Sequence, residues 1–361
     1  NNFKNSMHKY IIFLFLFTIV TGNSSAKYSF KAGDSTNVPG AAIMLIEDGT
    51  PVNTYCTGYA NLKAKELINS NTNFRLASLT KQFTAAAILI LVQKGKLKLD
   101  NTLTSIFKDF PKYGENITIK HLLTHTSGIV DYESLIPEST RKQLKDKDVL
   151  KMLSKIDSVY FLPGDQYRYS NSGYALLALI VEKISGKKFA SFLKENIFTP
   201  LEMSTTVAYE NGISVIRHRA LGYTYNGTEY EEDDQSLTSA VLGDGGIYSN
   251  LEDLCKWDQA LYSEVLLKKP LLDSAFSKAT LNSGKKIDYG YGWEINDADG
   301  IKILQHTGNT VGFTNKIVRI PEKNLSLIIL TNKDDTDVDF MSKEVISQLL
   351  KPTDEEDNET F

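Results

Sequence analysis

Ser78-Leu79-Thr80-Lys81 sets a hydroxyl and an amine three residues apart at the mouth of a long apolar segment, Thr80 to Val92. Lysine follows serine at the same spacing from Ser105, Ser139, Ser185, Ser191 and Ser283, so spacing alone selects nothing. Position does. Only Ser78 stands just before an apolar run long enough for a buried helix, on which residues i and i+3 share a face and lie in contact. At such a helix start the free N–H groups stabilise negative charge growing on a serine oxygen, and the same field, with burial, disfavours a protonated lysine. That shift matters, because deprotonating a lysine of ordinary pKa at pH 7 costs roughly 4.6 kcal/mol. A serine next to a neutral amine is a nucleophile for acyl transfer. The plain structural account of the same residues is an N-cap serine followed by a solvated lysine.

Two further groupings carry polar chemistry. In Pro163-Gly164-Asp165-Gln166-Tyr167-Arg168-Tyr169-Ser170-Asn171, Tyr169 and Asn171 are two residues apart, so an extended loop points both the same way. A phenol relays protons if cations depress its pKa, and a carboxamide holds a substrate carbonyl. The alternative is that Asn171 caps the following helix and Tyr169 packs. In His306-Thr307-Gly308-Asn309, a glycine at a strand end admits a close backbone or ligand, and the Asn309 N–H is free to donate to a substrate oxygen. Its alternative is a surface histidine and a turn glycine. His121 and His125 have metal-pair spacing with no third ligand evident nearby, which favours a structural role.

The elements that must position these groups follow from periodicity. Ala41 to Glu47 and Val52 to Tyr59 read as strands joined by a tight Asp48-Gly49 turn. Thr80 to Val92, stopped by Lys94-Gly95, reads as a buried helix, and Ile119 to Leu123, Lys142 to Leu153, Tyr174 to Ile184 and Phe189 to Asn196 as further helices. Ser249 with Glu252 forms a capping box. Gly292 to Ile295, Ile301 to Gln305, Phe313 to Ile320 and Leu325 to Leu330 form an antiparallel meander, so sheet strands come from both chain ends around a helical insertion, an α/β (α+β) plan. Loops around Tyr132, Tyr223 and Trp293 are expected to shape a pocket.

With 361 residues, 42% hydrophobic and 23% charged, the chain is long enough for a sizeable core and ordinary for a soluble fold. Its 40 basic and 44 acidic residues leave no basic face for phosphates, which sets nucleic-acid binding aside. Ile11 to Val20 is an apolar run of secretory length, followed by Gly22-Asn23-Ser24-Ser25-Ala26; residues 1–26 read as a signal peptide cut after Ala26, with an uncleaved anchor as the alternative. Either exports the body, to the periplasm or the medium, and processing leaves no stable membrane span. Cys56 and Cys255 read as buried free thiols, and residues 353–361 as a disordered acidic tail. The elbow Gly-x-Ser-x-Gly, the zinc motif His-Glu-x-x-His and the glycine-rich nucleotide loops are absent.

In order and spacing, Ser78-x-x-Lys81, Tyr169-x-Asn171 and His306-Thr307-Gly308 resemble the three active-site motifs of serine β-lactamases and penicillin-binding proteins. The class C branch, which includes D-amino-acid peptidases and carboxylesterases, is most similar, and the stretches Phe74 to Ala77, Ile119 to Gly128 and Gly243 to Ser249 match it too. The resemblance implies a β-lactamase/transpeptidase-like domain over residues 27–352, with its helical insertion over roughly 80–205. It implies an exported serine hydrolase with Ser78 as acylated nucleophile, Lys81 as base and Tyr169 as proton shuttle. Asn171 would contact the substrate amide, and His306, Thr307, Gly308 and Asn309 would line the opposite wall. The N–H groups of Ser78 and Asn309 would form the oxyanion hole. No metal or cofactor is required, and the partner is a small substrate: a D-amino-acid peptide, a β-lactam or an ester. A sensor that acylates without turnover is the alternative. Class C enzymes carry lysine where His306 stands; histidine is largely neutral at pH 7, which disfavours β-lactam turnover and favours peptidase or esterase chemistry.

Overall fold

Asp48 and Gly49 take positive φ values of 49° and 78°, as a two-residue hairpin turn requires, and join β1 (Ala41–Glu47) to β2 (Thr50–Thr57). The computed structural model describes residues 37–350 and two short strands before them, Leu16–Ile19 and Tyr28–Lys31, which pair antiparallel. Apart from Leu16–Ile19, the expected leader, its cut after Ala26 and the acidic tail lie outside the described residues. Among the described residues no helix is long and apolar enough to cross a membrane.

The hairpin is completed by a late meander of β3 (Glu294–Ala298), β4 (Ile301–Thr310), β5 (Phe313–Ile320) and β6 (Leu325–Thr331). All six strands form one antiparallel sheet in the order β3-β4-β5-β6-β1-β2, so the two chain ends meet along the β6–β1 seam. Every residue of β5 and β6 is buried. The period-two alternation sends Ala42, Met44, Ile328, Leu330 and Ile317 to one face and Ile43, Leu45, Ile329, Leu327 and Val318 to the other. The first set packs on the helical body, and the second lies under Val338, Val345 and Ile346 of a C-terminal helix, Val338–Leu349.

Between β2 and β3 the chain leaves this sheet and builds the helices that carry the site. α1 (Thr80–Gln93) has all of Thr80 to Leu91 buried, as a helix apolar on every side must be. It stops as the sequence predicts, with Gly95 at φ 67°. α2 (Ile119–Leu123) and α3 (Asn171–Ser185) pack beside it. α3 starts three residues before the expected Tyr174, because Ser170 caps it, its Oγ accepting from the Gly173 N–H at 3.2 Å. α4 (Leu242–Gly245) is a single turn, and α5 (Leu251–Ala260) follows it. The expected Ser249–Glu252 box does not form at α5. Asn250 is the cap, accepting from the Asp253 N–H at 3.0 Å, while Ser249 ends a strand and Glu252 accepts from the Ser70 hydroxyl at 2.8 Å. Cys56 and Cys255 are free thiols, half-buried, and burial pushes both up to about 11.

Candidate active site

Ser78 lies in a tight 3-10 turn, Ala77–Leu79, that runs directly into α1. Ala77 is held at φ 50°, a left-handed conformation costing a residue with a Cβ about 1–3 kcal/mol, so the backbone just before the serine is strained. The turn is fixed from several sides. Leu76 N–H donates to the Ile247 carbonyl at 2.8 Å, Asn315 Nδ2 on β5 donates to the Arg75 carbonyl at 2.8 Å, and β4 lies against it at Gly308. A Cβ on Gly308 would sit 2.2 Å from the Leu76 carbonyl oxygen, so this strand reaches the turn only because residue 308 has none.

One turn along α1, the Lys81 side chain is wholly buried and its Nζ has three partners at 2.9 Å: Ser78 Oγ, Asn171 Oδ1 and the Asp244 main-chain carbonyl. Asn171 is oriented by Glu133, whose carboxylate accepts from Asn171 Nδ2 at 3.0 Å and so turns Oδ1 toward the lysine. The Asp244 carbonyl and the Asn171 oxygen can only accept. Together they take both hydrogens of a neutral amine and leave its lone pair facing the serine hydroxyl. Burial lowers the Lys81 pKa from 10.5 to about 8, against the upward pull of Asp244, Glu133 and Asp131.

Tyr169 joins the group: Lys81 Nζ stands 4.9 Å from its ring centre, and Ser78 is close enough to pull the phenol's pKa down. Cations do not depress its pKa. Burial of the hydroxyl end pushes it well above the usual value and outweighs the pull of Ser78, although the residue as a whole is 37% exposed. Tyr169 therefore stays a neutral phenol, and the group brought toward neutrality is the lysine.

His306 is 1% exposed, not a surface residue. Its Nδ1 lies 2.8 Å from the Thr307 carbonyl and its Nε2 2.9 Å from the Tyr289 hydroxyl, so Nδ1 carries the proton and Nε2 accepts. Burial, with Lys81 nearby, pushes its pKa down to about 3. It is an uncharged back wall behind Tyr289 and Tyr169. On the same strand Thr307 is half-buried and Asn309 exposed.

The histidines of the α2 region hold backbone. His121 Nδ1 accepts from Thr118 N–H at 3.2 Å and His125 Nδ1 from Ser170 N–H at 3.0 Å, the latter ring lying 4.2 Å from that of Tyr169. Among the described residues no group of His, Cys, Asp and Glu is arranged to hold a metal. Tyr132, Tyr223 and Trp293, around which the pocket-shaping loops are expected, are themselves buried, at most 4% exposed. Glu133, Asp244 and Tyr289 are the site residues that the sequence did not point to. Glu133 follows an Asp131 cap and was available as a carboxylate two residues into a turn; Asp244 lies in the family-like stretch Gly243 to Ser249 but was given no role there, and nothing local distinguishes Tyr289.

Known proteins share this arrangement of elements. A family profile described as Beta-lactamase matches residues 27–349. Penicillin-binding protein 4* of Bacillus subtilis (strain 168) is 36% identical over 308 residues, which cover 81% of this chain and 68% of that protein. The octameric penicillin-binding protein homologue from Pyrococcus abyssi superposes with a TM-score of 0.76 at 27% identity, covering 87% of this chain and 74% of that one. The D-amino acid amidase of Ochrobactrum anthropi SV3, complexed with L-phenylalanine amide, gives 0.70 at 27% identity, over 82% of this chain and 87% of that one. The chain spans about two thirds of the length of the curated relatives it matches.

Proposed function

This chain belongs to the beta-lactamase family, and from that premise we propose that it forms an acyl-enzyme on Ser78 with the carbonyl of a D-amino-acid amide or peptide, a β-lactam or a carboxylic ester. It is a serine hydrolase of the β-lactamase/DD-peptidase type. The observation that carries the assignment is the Lys81 amine, buried and 2.9 Å from Ser78 Oγ, with both its other partners pure acceptors. With a pKa of about 8, making it neutral at pH 7 costs about 1.4 kcal/mol, where an ordinary lysine costs roughly 4.6.

In the first half-reaction Ser78 Oγ bonds to the substrate carbonyl carbon and passes its proton to Lys81. The carbonyl oxygen becomes an anion, which the N–H groups of Ser78 and Asn309 would hold; losing such a donor typically costs about 3–4 kcal/mol. As the bond to the leaving group breaks, a proton from Lys81 reaches the departing atom through Tyr169, which takes one proton and gives another while remaining a phenol. Water then attacks the acyl carbon, its proton goes to Lys81, and Ser78 regains a hydroxyl as the acid departs. Asn171 contacts the acyl side.

Within the substrate classes, His306 supports an amide, peptide or ester over an efficiently hydrolysed β-lactam. It is buried and uncharged, so it offers no cation to a β-lactam carboxylate. The D-amino acid amidase likeness supports the same side. The leader-like residues 1–26 support an exported enzyme, periplasmic or secreted. A fluorescent fluorophosphonate should label the protein, and Ser78→Ala should abolish the label; a label that persists removes the assignment. Rates on a D-alanine amide, a chromogenic cephalosporin and p-nitrophenyl butyrate should rank the cephalosporin last, and product beyond one equivalent separates an enzyme from a protein that acylates and stops.

A further inference from the structure

Behind the Lys81 amine lies a buried acid that this mechanism does not use. Asp244 is 7% exposed; its main-chain carbonyl binds Lys81 Nζ at 2.9 Å, while its carboxyl accepts from the Tyr132 hydroxyl at 3.0 Å. Tyr132 is itself fully buried, and its main-chain N–H donates to Ser172 Oγ at 2.7 Å, so the residue is held at its backbone as well as at its hydroxyl. The helical turn that carries the acid is anchored as firmly. Asp146 accepts from Leu242 N–H at 3.0 Å and Gly243 N–H at 2.9 Å, and the Thr84 hydroxyl on α1 donates to the Gly243 carbonyl at 2.7 Å.

We propose that Asp244 is a positioning residue for Lys81: its main-chain carbonyl orients the amine, its carboxylate, clamped by Tyr132 in the same buried turn, sets the charge the lysine carries, and together they fix the pH range of acylation. This rests on Lys81 acting as the base for Ser78. A carboxylate in the interior is little screened, and it favours the ammonium form. Burial lowers Lys81, and Asp244 is the strongest group pulling it back. Asp244 is itself raised to about 7, by burial first, with Lys81 and the Tyr132 bond pulling down and Asp146 and Glu133 pushing up. The other groups facing the pair are the buried Arg75 guanidinium, the Tyr169 and Tyr174 rings, the uncharged His125 and His306, and Glu133 and Asp131. Glu133 is exposed and Asp131 half-exposed, so solvent screens both.

The test is the pH dependence of kcat/KM for the uncharged ester p-nitrophenyl butyrate, measured on the full chain. Asp244→Asn keeps an acceptor for the Tyr132 hydroxyl and removes only charge. Its acid limb is expected to move to lower pH by about one unit, with acylation below the limb rising up to about tenfold. Tyr132→Phe removes the donor that stabilises the ionised carboxylate, and the limb should move the same way by less; if Asp244→Asn does not fold, this variant reads the same quantity. A merely structural role lowers the rate and leaves the limb in place, and an unmoved or upward-shifted limb overturns the proposal. Ser78→Ala in the same assay separates the two readings. If it is inactive while the limb stays put, only the role of Asp244 falls; if it still turns over, the Ser78 reading falls with it.

Discussion

At Lys81 and His306, burial moves two bases in the same direction with different consequences. The lysine falls to about 8, within reach of neutral pH, while the histidine falls to about 3 and stays uncharged throughout the working range. The unfolded chain protonates His306 near 6.5, so between there and 3 the unfolded state binds more protons. Its contribution to stability is therefore complete above 6.5 and lost as pH falls toward 3. Urea unfolding of the wild type and of His306→Asn should show this. The stability advantage of the wild type is expected to shrink by about 2 kcal/mol between about pH 7.5 and about pH 5, and an unchanged gap would mean an imidazole already charged in the fold. The meeting of Ser78 and Lys81 was legible in the sequence from residue type, spacing and a helix start, whereas Asn171, 90 residues from the lysine, was tied to them only by the resemblance of the three motifs. The direction of the Tyr169 shift was not legible, since it depends on what surrounds the hydroxyl. Nor was Asp244, 163 residues from the lysine whose amine it holds.

Element boundaries show where local pattern gives out. The apolar run begins at Tyr174, but the helix begins at Asn171, because the polar first turn is spent on the site and its tethers: Ser172 Oγ donates to the Val130 carbonyl at 2.8 Å while Asn171 reaches Lys81. The cap of α5 falls one residue later than expected for a similar reason, Ser249 being committed to a bond with Thr206 Oγ1 at 2.7 Å. The close approach of β4 to the Ser78 turn was anticipated in kind from its glycine, yet the partner proved to be the chain's own Leu76 carbonyl. Gly308→Ala is expected to cost about 1–3 kcal/mol, since the added methyl would sit 2.2 Å from the Leu76 carbonyl oxygen and 3.3 Å from the Leu79 side chain, so the backbone of the turn must shift. It should also slow Ser78 acylation more than tenfold by displacing the turn. Thermal unfolding and the fluorophosphonate labelling rate read the two effects, and labelling at the wild-type rate would show that β4 does not form the wall of the site.

A sheet assembled from both chain ends was readable from alternation and turns, because each hairpin in it is local apart from the β6–β1 seam. What ties that sheet to the helices was not, being long-range and polar. Arg319 on β5 donates from Nε to Asp258 Oδ1 on α5 at 2.6 Å, and Ser326 on β6 donates to the same oxygen at 2.6 Å. Both charged side chains are 1% exposed, and the guanidinium lies 4.4 Å over the Tyr262 ring. Removing the carboxylate strands a buried cation, so Asp258→Ala should cost about 3–5 kcal/mol in urea unfolding. Replacing both charges, as Asp258→Leu with Arg319→Met, should recover most of the loss, since an apolar pair of similar volume leaves no ion unpaired. The Ser78–Lys81 contact is set within one turn of α1, and neither Asp258 nor Arg319 is bonded to Ser78 or Lys81. Labelling of Ser78 well below the unfolding temperature should therefore stay within about threefold of wild type in Asp258→Ala. A loss of labelling that matches the loss of stability would instead make the ion pair part of what shapes the site.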